Sequence, residues 1–505
     1  MSAEDESPAR RQALTPEEVQ TSIALLEAVV ADRGLLAALG SEERERLLIA
    51  AGRVSRPDRR ERRVLARARL KQERHARKKK DQALLDQTGI RRLRENPIFL
   101  TPRRQSRFNP QGAAPLGETS EDQVCYCCRR AYRVVHAFYD QMCVECGDFN
   151  YAKRDPQADL RGRVALVSGA RLKIGYQAAI MLLRSGCAVH VLTRFPKDAA
   201  KRYAAEEDFS SWGDRVHIHG IDLRHTPSVE ALCQHLLDTL PRLDFIINNA
   251  CQTVRRPPGF YAHLMAHEKA ELERLPEAQA KLLALGREHS PMDAELVTFE
   301  GAAQSLSSAE LTQVALLPED RDAGQTLFPA GQLDQDLQQV DLRRVNSWRL
   351  KLADVPTIEL LEVHLVNAVA PFIINARLKP LMASVPTADK HIVNVSAMEG
   401  QFYKTFKTDK HPHTNMAKAS LNMMTRTSAA DYLESGIHMN SVDTGWVTDE
   451  DPAIQAEMKR TLHNFHPPVD IVDGAARIVD PIFHGFQTGE HVWGQFLKDY
   501  KPTDW

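Results

Sequence analysis

With 505 residues, 66 basic against 67 acidic side chains and 43% apolar residues, the chain has room for two or three domains and a large core. Its near-zero net charge excludes a global field for nucleic acid or an anionic membrane, so charge-driven recognition must be local. No N-terminal segment has the charged-then-apolar pattern of a signal peptide, and the apolar run 363–374 is too short and too polar for a bilayer span, which predicts a cytoplasmic chain with no membrane partner.

Residues 1–102 read as a basic helical region. Thr15, Pro16, Glu17 and Glu18 supply an N-cap, a proline at the first helical position and a glutamate at the third. A second helix begins near Ser41, and residues 53–94 are dense in arginine and lysine. Acids are mixed in and aromatics are absent, so a solvated helical face is the plain reading, with RNA or an acidic partner as the alternative. Residues 103–123, rich in proline, glycine and polar side chains, read as a linker.

Of the eight cysteines, Cys187, Cys233 and Cys251 are scattered through apolar segments. The other close-set thiols form two pairs, Cys125 with Cys128 and Cys143 with Cys146, 14 residues apart. Each two-residue spacer lets a tight turn aim two thiolates at one ion, which predicts a structural, tetrahedral Zn²⁺ in a module over 124–155. Cys127 and His136 are alternative ligands, and reduced thiols without metal are the bland reading.

From residue 160 to 505 short apolar runs alternate with helical patterns, at 164–169, 189–194, 245–250 and 391–396. Strands alternating with amphipathic helices imply a doubly wound parallel α/β domain. The alternation stops at about 255–350, a stretch rich in Ala, Leu, Glu and Gln that reads as an inserted helical element, placed to act as a lid. The run from Ser168 to Gly175 follows a strand and opens a helix, where backbone N–H groups meet a pyrophosphate.

Over roughly 162–505, apart from the insertion, the chain resembles the short-chain dehydrogenase/reductase family. Ser168, Gly169, Ile174 and Gly175 match its glycine-rich fingerprint, with Lys173 replacing the central glycine. The resemblance implies a nicotinamide cofactor. Arg194 at the end of the second strand favours NADP(H) over NAD(H), because a guanidinium suits a 2′-phosphate. Asp222 matches the acid beside the adenine, and Asn248 to Ala250 match the family's AsnAsnAla run, with Cys251 in place of the next glycine. Gly445 and Thr448 fall in the segment that clasps the nicotinamide amide, where Thr444 takes the proline position and Asp449 aligns with the family threonine.

The family's catalytic set is Asn, Ser, Tyr and Lys. Asn367 and Lys418 match the first and last, and Lys418 would also hold the nicotinamide ribose. The other two depart: Ala397 aligns with the serine, with Ser396 one residue early, and Thr414 stands where the tyrosine belongs. A threonine hydroxyl has no ring to delocalise an oxyanion and does not titrate near neutral pH. Replacement proton donors are sought in the longer segment 401–413, with His411 first and Tyr403 and His413 behind it. The resemblance thus implies an NADP(H)-dependent oxidoreductase acting on a carbonyl or alcohol, with a small-molecule substrate of unknown identity and family-like homo-oligomers. The alternatives are a catalytically inactive NADP-binding sensor or scaffold and, more weakly, an RNA-binding factor on a vestigial dehydrogenase fold.

Overall fold

The computed structural model describes residues 14–102, 114–288, 306–321, 326–403 and 407–505. The chain divides after Lys80 into two compact units. In the first, α1 (Pro16–Ala31), α2 (Ser41–Ser55) and the beginning of α3 (Arg59–Leu85) expose every described side chain to some degree. The helix start read at Thr15 is present: its Oγ1 accepts from Glu18 N at 3.2 Å, and Glu18 Oε2 accepts from Thr15 N at 2.8 Å.

The second unit begins before the boundary expected at residue 102. In α4 (Gly89–Glu95) Ile90 is fully buried, and Arg91 donates to buried Asp140 at 2.6 Å. The segment read as a linker also ends in structure, although 103–113 lie outside the described residues. β1 (Gly117–Val124) pairs antiparallel with β2 (Ala131–Val135), and its mostly exposed polar residues explain its linker-like composition. The cysteine segment is not a free-standing module. Next to α5 (Val144–Ala152), Phe138, Tyr139 and Met142 join the main core, and Tyr139 donates to Asp473 at 2.5 Å.

Eight strands form the main sheet: β3 (Val164–Ser168), β4 (Ala188–Thr193), β5 (Val216–Gly220), β6 (Phe245–Asn248), β7 (Lys390–Ser396), β8 (Ile437–Asp443), β9 (Phe496–Lys498) and β10 (Lys501–Thr503). Their order is β10-β9-β8-β7-β6-β3-β4-β5, parallel throughout except for the antiparallel edge strand β10. The order reverses between β3 and β6, and this switch point opens a crevice beyond the strand ends. Alternate residues feed two cores. Ala165, Val167, Val393 and Val395 point to the layer of α6 (Lys173–Arg184), α7 (Pro196–Ala204) and α16 (Ile471–Thr488), whereas Leu166, Ile246 and Ile392 point to that of α8 (Thr226–Thr239), α13 (Ala370–Ala383) and α14 (Pro412–Leu433).

Up to residue 288 the insertion is largely helical. There α9 (Pro258–Glu268) builds a small core with Phe195, Phe260, Leu264, Ala309 and Phe328. α10 (Glu277–Glu288) covers the edge strand β5, so closely that a Cβ on Gly286 would lie 1.9 Å from Ile218 O. After the single-turn helix α11 (Ser308–Leu311), residues 326–356 hold turns and two three-residue 3-10 segments rather than the helices expected; α12 (Thr357–His364) follows, and α15 (Ala453–His463) lies between β8 and α16. The apolar run read as too short for a bilayer belongs to a continuous helix, Thr357–Ala383, that is long and apolar enough by length and composition to cross one. In this structure Ala370, Ile374, Leu378 and Met382 on it are buried in the domain core.

Candidate nucleotide site and cysteine centre

A cavity of about 330 Å³ opens at the carboxyl ends of β3, β4, β5 and β6, bounded by Gly169, Ile174, Arg194, Asp222, Ala250 and Thr448 among others. Two glycines let its floor come close. Gly169 has φ +68, and a Cβ there would lie 2.8 Å from Ala250 Cα. At Gly175 a Cβ would lie 2.3 Å from Asn249 Nδ2 and 2.5 Å from Gly169 O. Asn249 Nδ2 in turn donates to Ser168 O and Gly169 O, both at 3.2 Å, fixing the turn that precedes α6. The first N–H groups of α6 therefore face the cavity without a side-chain cap.

Among the described residues, four cations line the cavity. Arg171 pairs with Asp198 at 2.5 Å, Arg256 pairs with Asp341, and Lys173 lies 3.7 Å from Asp336. Arg194 has no carboxylate partner among the described residues; its Nη2 donates to Tyr261 OH at 2.8 Å, and its guanidinium lies 5.0 Å from that ring's centre. Lys173 stands at φ +55, the left-handed conformation for which the family uses glycine. Burial works against its charge, but Asp336, Glu450 and Asp334 hold its pKa above the ordinary lysine value. Burial also pushes the Asp336 carboxyl up, more than Lys173 pulls it down, and the 3.7 Å separation marks the pair as a loose one. Burial likewise opposes ionisation of Asp222, but Arg224 donates to its carboxylate at 2.6 Å and keeps its pKa below the usual range.

Several residues expected at the cofactor do not line the cavity. Ser168 spends its hydroxyl inside the fold, accepting from Ala250 N at 3.1 Å. Asn248 points into the sheet and donates to Asn375 and Asn394, each at 2.9 Å. Gly445, at φ +79, turns the chain beside Tyr126 and Val469. Sequence reasoning missed Asn249, Tyr261 and Asp336. The AsnAsnAla run carried a signal for Asn249; the other two belong to the insertion, which no motif covers.

The catalytic candidates lie outside the cavity's walls. Asn367 sits fully buried in a π-helical turn, Leu365–Val369, and its Oδ1 accepts from Gln252 N at 2.7 Å, tying it to the cavity wall. Lys418 on α14 is buried, with Nζ donating to Val395 O at 2.7 Å. Ser396 Oγ donates to Lys418 O at 3.3 Å. Thr414, one turn before Lys418, is 3% exposed, and its Oγ1 has no hydrogen-bond partner among the described residues.

His411 does not reach the cavity. It is the left-handed N-cap of α14 (φ +43), stacked on Trp348 with 3.9 Å between ring centres, and burial lowers its pKa. His413 is buried 3.3 Å from Glu359, and Tyr403 is 83% exposed.

The cysteine centre is drawn together as the spacing implies. Ligand atoms of Cys125, Cys128, Cys143 and Cys146 all lie within 4.8 Å of one another, and Cys128 Sγ is 3.8 Å from Cys143 Sγ. Tetrahedral Zn–S bonds of about 2.3 Å place sulfurs roughly 3.8 Å apart. The alternatives are otherwise engaged. His136 Nδ1 accepts from Phe138 N and Tyr139 N, both at 3.0 Å, and Cys127 faces Met142 and Asn150.

A profile described as short chain dehydrogenase matches residues 163–268, and one described as Enoyl-(Acyl carrier protein) reductase matches 345–468; the stretch between them falls in the insertion. An uncharacterized protein of Acanthamoeba polyphaga mimivirus is 30% identical over 385 residues, covering 74% of each chain. Dehydrogenase/reductase SDR family member 13 of Bos taurus is 34% identical over 116 residues, which span 22% of this chain and 30% of that protein. Among solved structures, the RhlG/NADP active-site complex of Pseudomonas aeruginosa is 16% identical, covering 67% of this chain and 95% of that one with a TM-score of 0.41.

Proposed function

We propose that this chain, two stretches of which match profiles described as short chain dehydrogenase and Enoyl-(Acyl carrier protein) reductase, is an NADP(H)-dependent oxidoreductase of short-chain dehydrogenase/reductase type that interconverts a carbonyl and an alcohol, or a related pair, on a small molecule. The observation that carries the cofactor assignment is Arg194. It is the cavity-lining cation left without a carboxylate among the described residues, at the end of the second strand of the nucleotide-binding half. A half-buried guanidinium facing a cavity suits an anion, and a 2′-phosphate supplies one.

The remaining residues fit the same group. Gly169 and Gly175 leave the space a pyrophosphate needs, the uncapped N-terminus of α6 offers N–H donors, and Lys173 adds a positive charge beside them. Bound NADPH supplies the hydride. Asn367 holds the loop after β6 through Gln252, fixing the cavity wall next to the reacting end. Lys418 anchors α14 to the end of β7, and Thr414 offers a buried hydroxyl free to bond a substrate oxygen. That hydroxyl positions a proton and does not titrate near neutral pH.

Cys125, Cys128, Cys143 and Cys146 hold a structural Zn²⁺ in this proposal, the 3.8 Å sulfur separation being the support. Chelator treatment should release zinc and lower the melting temperature, because α5 and the β1–β2 hairpin share the main core.

The test of the enzyme reading is NADPH oxidation by the purified chain over a panel of aldehydes, ketones and enones, with Lys418→Met as control. Turnover in the native chain and loss in the variant support it. The burial of Lys418 Nζ against Val395 O, with threonine in place of tyrosine, favours a second reading: a protein that holds NADPH without turnover. Tight NADPH binding with no oxidation across the panel would select that reading.

A further inference from the structure

At the opposite ends of the strands from the cavity, three histidines from separate segments converge. His391 and His438 are the second residues of β7 and β8 and pair directly across the sheet, so their rings leave it on the same face. His491 comes from the connection between α16 and β9. One ring nitrogen of each lies within 4.8 Å of the others, and His391 Nε2 is 2.9 Å from His491 Nδ1. The ring centres form a near-equilateral triangle of 5.2, 5.1 and 4.9 Å.

An ordinary packed core explains only part of this arrangement. One histidine–histidine hydrogen bond accounts for the 2.9 Å contact, but it leaves the third imidazole, His438, with its Nδ1 beside Lys390 O and its ring centre 5.2 and 4.9 Å from the other two. No carboxylate is bonded to any of the three rings among the described residues. Asp389, the acid nearest in effect, is held by Arg163 at 2.6 and 2.8 Å.

Two further features look built. His438 Nδ1 lies 3.2 Å from Lys390 O, the kind of backbone contact that fixes a ligand's tautomer and leaves Nε2 bare. Gly485 on α16 makes room for the His491 ring, since a Cβ there would lie 2.3 Å from its Nδ1.

We propose that His391, His438 and His491 form a binding site for a borderline divalent transition-metal ion such as Zn²⁺, which clamps the α16–β9 connection onto the start of β7 and β8. Three imidazoles without a thiolate or carboxylate select this class of ion over Mg²⁺ or Ca²⁺. With Zn–N bonds of about 2.0–2.1 Å the nitrogens stand roughly 3.3 Å apart, an opening of a few tenths of an ångström from the present contact. His491 is only half-buried, so a fourth position is open to solvent. The site uses none of the cysteine centre's ligands.

The test is elemental analysis of the full chain, saturated with Zn²⁺ and desalted, alongside His491→Gln and Gly485→Ala. Each variant should hold one equivalent less than the native chain, and Zn²⁺ should raise the native melting temperature more than that of either variant. The readout is a difference, so it stands whether or not the cysteine centre is loaded. His491 is on a surface connection and Gly485→Ala leaves all three ligands in place, so circular dichroism of the two variants separates lost binding from lost folding. Equal zinc in all three folded proteins overturns the proposal.

Discussion

Replacing Arg194 with alanine isolates the interaction on which the cofactor assignment rests. The guanidinium donates to a neutral hydroxyl, Tyr261 OH, and has no carboxylate to orphan, so its removal leaves no buried unpaired acid behind. A hydrogen bond to a charged group contributes about 1.5–3 kcal/mol, which converts to roughly 10- to 150-fold weaker binding of NADPH. NADH lacks the 2′-phosphate, and its affinity should stay nearly constant. Arg194→Lys keeps the charge but loses the planar fork, so it should fall between the two. Isothermal titration of both cofactors against the three proteins, at one fixed ionic strength, measures the effect. Equal weakening of NADPH and NADH by Arg194→Ala, or no preference for NADPH in the native chain, would refute the reasoning.

Gly175→Ala should abolish binding of both cofactors, because its Cβ drives Asn249 off the Ser168 and Gly169 carbonyls; the same titration reads it. Asp336→Asn frees Lys173 from its loose partner and should tighten NADPH several-fold at low salt, with the gain fading as ionic strength rises. Stability should fall on acidification. Burial, together with Arg91 and Arg94, pushes His466 down to about 4, so the unfolded chain takes up that proton first. The stabilisation is present above about pH 6.5 and lost as pH falls towards 4, and His466→Gln should flatten this part of the urea-midpoint profile.

The sheet, its parallel order and the glycine turn were legible because each rests on local pattern: apolar runs of strand length, a strand–turn–helix unit, and paired cysteines at a metal-ligand spacing. Tertiary contacts decided the rest. Asn248 and Asn249 are neighbours in one motif, yet Asn248 ends β6 and donates inside the fold to Asn375 and Asn394, whereas Asn249, just past the strand, donates to Ser168 O and Gly169 O at the cavity floor. His411 has the right separation from Lys418, but a proline at 412 starts α14 there, and the imidazole is captured by Trp348 from the insertion. No local pattern announces a contact between residues 63 positions apart.

Lys173 shows how the insertion and the nucleotide turn depend on one another. Its φ of +55 is a conformation that side chains with a Cβ adopt at a cost, and glycine at this point would remove that cost. A lysine held there brings its ammonium to the cavity, where Asp336 from the insertion meets it at 3.7 Å. The same insertion presents Tyr261 to Arg194 and Trp348 to His411. Lys173, Arg194 and His411 thus each meet a partner from the inserted segment, Asp336, Tyr261 and Trp348 respectively. Exchanging that segment for a short loop should therefore disturb cofactor binding through Arg194 even though every fingerprint residue from Ser168 to Gly175 is retained.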